Sequence, residues 1–166
     1  MFDFVWICNF DSPEAIVDCL KPYEDELLGA VARTEQNIPH FQKVIPHIPY
    51  LRTPSVQSLE WATHKIDMRR MFGAYDKKLS PNFLVVQDAK KKTLKMLEEK
   101  IGFPMIVKPS GLAASLLVTI AFHPEELEVS LKKVLRKVRA QYKMWEGRGE
   151  PQVLVEEFME GDMYSI

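Results

Sequence analysis

Glycine and cysteine are both scarce in this chain: seven and two among 166 residues. The cysteines, Cys8 and Cys19, have neither metal-site nor redox-motif spacing, which excludes a thiolate metal centre and predicts reduced core thiols. No glycine-rich G-x-x-x-x-G-K-[ST] loop is present, so any phosphate binding must be built another way. Charge of one sign is also lacking, with 22 Lys and Arg against 23 Asp and Glu, a formal net charge of -1. Without a positive excess there is no broad pull toward nucleic acid or an anionic membrane, and a phosphate would have to be caught by local groups. No apolar run approaches the roughly 20 residues of a membrane span. The start, Met1 to Trp6, lacks the basic residues of a secretion signal. The expected compartment is therefore the cytoplasm.

What is present is an ordinary globular composition, 46% apolar and 27% charged. The length suits one domain with a real core or one lobe of a larger enzyme. Phe2 to Cys8 is dense in aromatic and β-branched residues and predicts a buried strand. Asp11-Ser12-Pro13-Glu14 supplies a cap and an early proline for a helix running to Leu20, where Pro22 interrupts. A second helix is expected over Tyr23 to Leu28 and a short strand over 30–33. Pro39, Pro46, Pro49 and Pro54 then mark a connecting segment with at most a short helix near His40 to Val44. The chain before it reads as the tail of an α/β domain.

Ser58 to Phe72 carries a helical apolar stripe, with Ser58 as cap and Gly73 as stop. Strands follow at Asn82 to Gln87 and Pro104 to Lys108, separated by a helix over Ala89 to Lys100, and Leu116 to Phe122 makes a hairpin-like return. The longest helix is expected from Pro124 to about Trp145, with Leu127, Leu131, Val134, Leu135, Val138, Tyr142 and Trp145 on one side. Gln152 to Phe158 is a strand, and 162–166 reads as the start of another with no turn signal after it, as in a fragment cut within its functional unit. This order predicts an α+β lobe, an antiparallel sheet with helices on one face. No internal repeat or low-complexity segment is visible.

Three stretches carry candidate chemistry. Lys108 ends the apolar strand 105–107 and precedes Pro109, which is expected to force the chain out of the sheet; an ammonium held there beside a cleft would be paired by a phosphate oxygen. A lysine snorkelling from a strand end is the bland alternative. Ser110 to Ser115 is mostly small, so backbone N–H groups and two hydroxyls can approach phosphates closely, although a plain hairpin connection would look the same. Val153 to Val155 lead into Glu156 and Glu157, whose side chains must point to opposite sides of a strand. One of them can accept from an adenine amine or ribose hydroxyl; the structural alternative is one solvated glutamate and one in an ion pair. Lys65 stands in the Ser58 to Phe72 helix, with Arg69 and Arg70 four and five residues on. His64 is read as a surface histidine without a role.

In this order and spacing, the segments Thr63-His64-Lys65, Gly102 to Ser110 and Val153 to Gly161 resemble the nucleotide-binding core of the ATP-grasp ligases. The resemblance covers about residues 55–166, the first part of an ATP-grasp domain, and makes residues 1–54 the end of a preceding α/β domain. It implies that Lys65 and Lys108 contact phosphates and that Ser110 to Ser115 form the phosphate-covering loop. It further implies that Glu156 contacts the nucleotide through its side chain, while Glu157 and Met159 give a backbone carbonyl and amide to adenine. The implied ligands are ATP, Mg2+ and small-molecule carboxylate and amine substrates, joined through an acyl-phosphate. The chain departs from the family pattern in three ways: its loop is poorer in glycine, Met163 stands where many members have a ribose-binding glutamate, with Asp162 a weak substitute, and the family's acidic and asparagine magnesium ligands lie downstream of residue 166.

Two other classes compete. The basic face of the long helix, with Lys132, Lys133, Arg136, Lys137, Arg139 and Lys143, resembles a nucleic-acid footprint, but Glu125, Glu126 and Glu128 on the same helix and the balanced net charge favour a solvated face. A non-catalytic scaffold that keeps the ATP-grasp fold is the third reading.

Overall fold

The computed structural model describes residues 4–162; the chain divides into two compact units, Met1–Glu60 and Trp61–Ile166. In the first unit, helix α1 (Pro13–Leu20) opens as its sequence dictates. Ser12 is extended, its Oγ accepts from the Ala15 N–H at 3.2 Å, and Pro13 fills the first helical position. A 3-10 turn at Lys21–Tyr23 follows in place of the helix expected over Tyr23 to Leu28. Helix α2 (Ile38–Val44), with Pro39 in its first turn, and a 3-10 turn at Ile45–His47 occupy the proline-rich connection.

Neither strand expected in this unit forms among the described residues: 4–8 and 30–33 have no ladder partner, and Arg33 sits in a bend. Ile7 and Val31 remain 97% and 83% exposed. A strand is defined by its neighbour, and β-branched composition alone cannot supply one. Cys8 and Cys19 are unbridged and half-buried, outside any core, with the Cys8 thiol pushed up by burial and by its neighbour Cys19.

Helix α3 (Val56–Thr63) starts at Ser55, not Ser58. The Ser55 Oγ accepts from the Ser58 N–H at 3.0 Å and its carbonyl accepts the first helical bond from Leu59. The expected single helix then breaks at His64, whose backbone is extended, and resumes as α4 (Lys65–Tyr75), which passes through Gly73. The break leaves the first N–H groups of α4 without intrahelical partners, and that of Lys65 donates to the Ser110 carbonyl at 3.0 Å.

Among the described residues four strands follow, β1 (Phe83–Val86), β2 (Met105–Pro109), β3 (Thr119–Ala121) and β4 (Val153–Glu157), and the strand expected over 162–166 lies outside them after residue 162. The four form one antiparallel sheet in the order β1-β4-β2-β3. Helix α5 (Lys91–Lys100) lies between β1 and β2 in sequence, and α6 (Pro124–Met144) between β3 and β4. The Glu126 carboxylate accepts from the Phe122 N–H at 2.7 Å at the start of α6, a third-position acid reaching back to the residue before the cap His123.

Strand alternation sorts the sheet's side chains. Met105, Val107, Ala121, Val153 and Val155 share one face and pack with Leu97 of α5 and with Leu127, Leu131, Val134, Val138 and Tyr142 of α6. The register puts Ile106, Lys108, Leu154 and Glu156 on the opposite face. Pro109 stays in the ladder opposite Val153 as the last residue of β2, rather than turning the chain out of the sheet, because the Ser110 N–H carries the pairing on to the Gln152 carbonyl at 3.0 Å. No helix among the described residues is long and apolar enough to cross a membrane.

Candidate nucleotide site

Central strands β2 and β4 bring Lys108 and Glu156 to the face opposite α6, two positions apart along the register. Both are buried, at 9% and 2% exposure. The Lys108 ammonium bonds Glu156 Oε1. Arg69, on the second turn of α4, closes on the same carboxylate with a fork, Nε to Oε2 at 3.0 Å and a terminal nitrogen to Oε1 at 3.2 Å. Such two-point guanidinium pairing fixes the plane as well as the position of a carboxylate. The cluster therefore holds two cations against one anion in a largely desolvated place. Burial, as the main cause, pushes the Lys108 ammonium below the ordinary lysine range; Glu156 opposes that shift and Arg69 adds to it.

The surplus positive charge asks for an anion. A phosphate oxygen beside Lys108 would meet that demand without disturbing the carboxylate, which Arg69 already holds in place.

Glu157 points the other way, as alternation requires, and is exposed. Its carboxylate accepts from the N–H and side-chain amide of Asn82, both at 3.3 Å, and its own N–H donates to the Asn82 carbonyl at 2.9 Å. The pair thus has one ion-paired and one solvent-facing glutamate, and the buried member is the one beside the lysine. Met159, 63% exposed, follows where β4 has ended and the Phe158 N–H donates to the Pro104 carbonyl at 3.2 Å.

The loop after β2 separates the two serines of the candidate set. Ser110 is fully buried, and its hydroxyl bonds the Tyr142 hydroxyl at 2.7 Å. The Gly111 N–H donates to the same Tyr142 oxygen at 2.6 Å, so the end of α6 pins the start of the loop. Gly111 is obligatory there, because a Cβ would sit 2.0 Å from the Arg148 carbonyl oxygen. Ser115 is exposed at the loop's far end. Ala114, Ser115 and Leu117 adopt φ of 53°, 55° and 58°, a left-handed conformation that costs residues other than glycine roughly 1–2 kcal/mol each.

Lys65 is half-buried and bonds the Leu112 carbonyl through its ammonium, so this side chain clasps the loop. His64 bonds Asp67 through Nδ1 at 2.7 Å, and its Nε2 is buried close to Gly149. It is not the surface histidine its sequence context suggests.

Lys108 and Glu156 are brought together, Lys65 and Ser110 meet at the loop base, and Glu157, Met159 and Ser115 lie at the edges. Arg69 and Tyr142 are the members that sequence reasoning gave no role. Arg69 stands one helical turn after Lys65, on the same side of α4, and that spacing was the available signal. For Tyr142 there was none, since its position on the apolar stripe of α6 predicts only core packing.

Residues 101–166 match the sequence profile of the ATP-grasp domain. The phosphoribosylamine--glycine ligase of Leptospira interrogans is 38% identical over 74 residues, 45% of this chain and 16% of the ligase. Among solved structures, the L-amino acid ligase of Bacillus licheniformis aligns over 92% of this chain and 34% of its own, at 22% identity and a TM-score of 0.57. Phosphoribosylglycinamide synthetase from Anaerococcus prevotii aligns over 96% and 35%, at 20% identity and a TM-score of 0.58. The biotin carboxylase domain of the Hydrogenobacter thermophilus 2-oxoglutarate carboxylase, determined with MgADP, ADP and bicarbonate, aligns over 95% and 34%, at 15% identity and a TM-score of 0.61. The chain spans about a third of each of these solved proteins and less of the curated relative. The profile match is confined to residues 101–166, and the solved structures share the fold over nearly the whole chain.

Proposed function

We propose that this chain is the nucleotide-binding portion of an ATP-grasp ligase, which activates a carboxylate as an acyl-phosphate for attack by an amine. The observation that carries the reading is the buried Lys108-Glu156 pair on the sheet face opposite α6, supported by Arg69 and lying within the stretch that matches the ATP-grasp profile. In this reaction a carboxylate oxygen attacks the γ-phosphorus and ADP leaves; the amine then attacks the acyl carbon and phosphate leaves. Charge neutralisation and positioning dominate such transfers, and buried cations are the groups that provide them.

In this reading Lys108 takes a phosphate oxygen and Glu156 orients the lysine and meets the nucleotide. The Glu157 carbonyl and Met159 amide read the adenine edge. Lys65 reaches phosphate by exchanging its bond to the Leu112 carbonyl, and Ser115 sits on the covering loop that Ser110 anchors. Magnesium would be held by other side chains: among the described residues no cluster of three or more His, Cys, Asp or Glu could hold a metal ion. Residues 1–54 are then the end of the preceding domain, which the alignment over 96% of the chain with the Anaerococcus enzyme supports. The proposed compartment is the cytoplasm, in keeping with the unbridged Cys8 and Cys19.

Calorimetry of the natural full-length polypeptide with MgADP and MgATP tests the reading. Saturable binding that is lost in Lys108→Ala is the expected result. A folded protein that binds neither nucleotide would overturn it.

A further inference from the structure

We infer that Arg69 is a positioning residue for nucleotide phosphate, which keeps Lys108 available by sharing the charge of Glu156; the inference rests on the nucleotide reading above. With only Glu156 as neighbour, a buried lysine would form a closed, neutral pair, and an incoming phosphate would have to compete with the carboxylate for it. The geometry avoids that outcome. Arg69 occupies both oxygens of Glu156, at 3.0 and 3.2 Å, from a side chain 13% exposed. Lys108 bonds only Oε1. The carboxylate is therefore already compensated by the guanidinium, and the cluster keeps one unit of positive charge on the lysine side.

Orientation matters as much as charge. The guanidinium fork fixes the plane of the Glu156 carboxylate, and through Oε1 it sets where the Lys108 ammonium sits. The third element in the chain of support is α4 itself. Its first residue, Lys65, is fastened to the loop after β2 by its main-chain N–H on the Ser110 carbonyl and by its ammonium on the Leu112 carbonyl. One helix thus sets the loop with its first residue and the lysine-glutamate pair with its fifth. The remaining charged side chains of α4 near this turn do not duplicate the role, since Asp67 pairs with His64 and Arg70.

The test compares ADP, which has phosphates, with adenosine, which has none, on the full-length protein by calorimetry. In Arg69→Met, which keeps volume and removes charge, ADP affinity should fall 10- to 100-fold while adenosine affinity stays within about twofold. In Arg69→Lys, which restores the charge without the fork, ADP binding should recover part of that loss, and this variant also serves if Arg69→Met fails to fold. The inference is overturned if wild-type protein binds ADP and both folded variants bind it within twofold of wild type. It is equally overturned if adenosine and ADP weaken in the same proportion, the mark of a merely structural residue. Failure of the wild type to bind ADP at all would instead remove the nucleotide reading, and the inference with it.

Discussion

The two units of this chain carry similar raw material and use it differently. In residues 4–60, only Ile16 and Ile48 are fully buried hydrophobic side chains among the described residues, while Phe4, Val5, Trp6, Ile7, Leu28 and Val31 remain exposed. In the second unit, β2 and β4 are buried along nearly their whole length, with α6 covering one face of the sheet. Apolar composition is available in both; paired neighbours exist in one. A sheet converts β-branched residues into core because each strand has a partner at its edge and a helix over its face, and an extended segment with neither leaves its side chains in water.

The largest effects that sharpen this contrast lie on the sheet. Glu156→Ala should destabilise the second unit by about 3–5 kcal/mol, because Lys108 and Arg69 would be left buried together without their shared anion. Leu131→Ala, at a fully buried site of α6, should cost about 2–5 kcal/mol through lost burial and the cavity it leaves. Val31→Ala in the first unit should stay within about 0.5 kcal/mol. Urea unfolding followed by amide exchange in β4 checks the first two, and exchange in α1 of the first unit checks the third. A loss at Val31 as large as that at Leu131 would break the comparison, since it would mean the exposed segment is packed in solution.

Smaller, and opposite in sign, is the effect of relieving the loop after β2. Ser115→Gly removes a left-handed strain of roughly 1–2 kcal/mol and adds about 0.5–1 kcal/mol of unfolded-state entropy, for a net gain of up to about 1.5 kcal/mol in thermal unfolding. No gain, or a loss, would mean that the left-handed backbone at 115 is not the ground state of the loop.

The second unit was largely legible from sequence because its signals are redundant. Five apolar positions of α6 recur with helical spacing, and the alternation of β4 separates Glu156 from Glu157 without any knowledge of the fold. The first unit was not legible in the same way: Phe4 to Cys8 has strand composition, but strand formation depends on a neighbour that composition does not encode. The candidate site divides along the same line. Lys108 and Glu156 were found from their places at strand ends, whereas Arg69 is 87 residues from its partner and has only its one-turn spacing from Lys65 to mark it. A lysine snorkelling from a strand end would contribute little stability. Burial with Glu156 makes the loss of Lys108 larger, about 1–2 kcal/mol, with Arg69 still compensating the glutamate.

Titration separates the units again. Lys108 is held below the ordinary lysine range, so between its folded pKa and the ordinary value the unfolded chain binds the extra proton. Its contribution to stability is therefore greatest above the ordinary lysine range and is lost as pH falls through the folded pKa. The difference in unfolding free energy between wild type and Lys108→Met should change in favour of wild type as pH rises from the folded pKa toward the ordinary lysine range. A flat difference curve would place Lys108 in water.

The exposed pair of Asp11 and Lys43 in the first unit provides the weakest case. Lys43 donates to Asp11 Oδ1 at 2.6 Å, and this contact holds the Asp11 carboxyl below its usual range. The sign is that of a depressed acid: whatever stability the pair adds is present above the ordinary aspartate pKa and lost as pH falls through the folded one. Both side chains are open to solvent, where ion pairs contribute little and salt screens them. Lys43→Met should therefore return the Asp11 titration, followed by carboxyl NMR, toward the ordinary aspartate range while leaving the unfolding midpoint unchanged. A clear drop in that midpoint would show that the first unit is held together at its surface, and the contrast between a core-built unit and a loosely covered one would have to be redrawn.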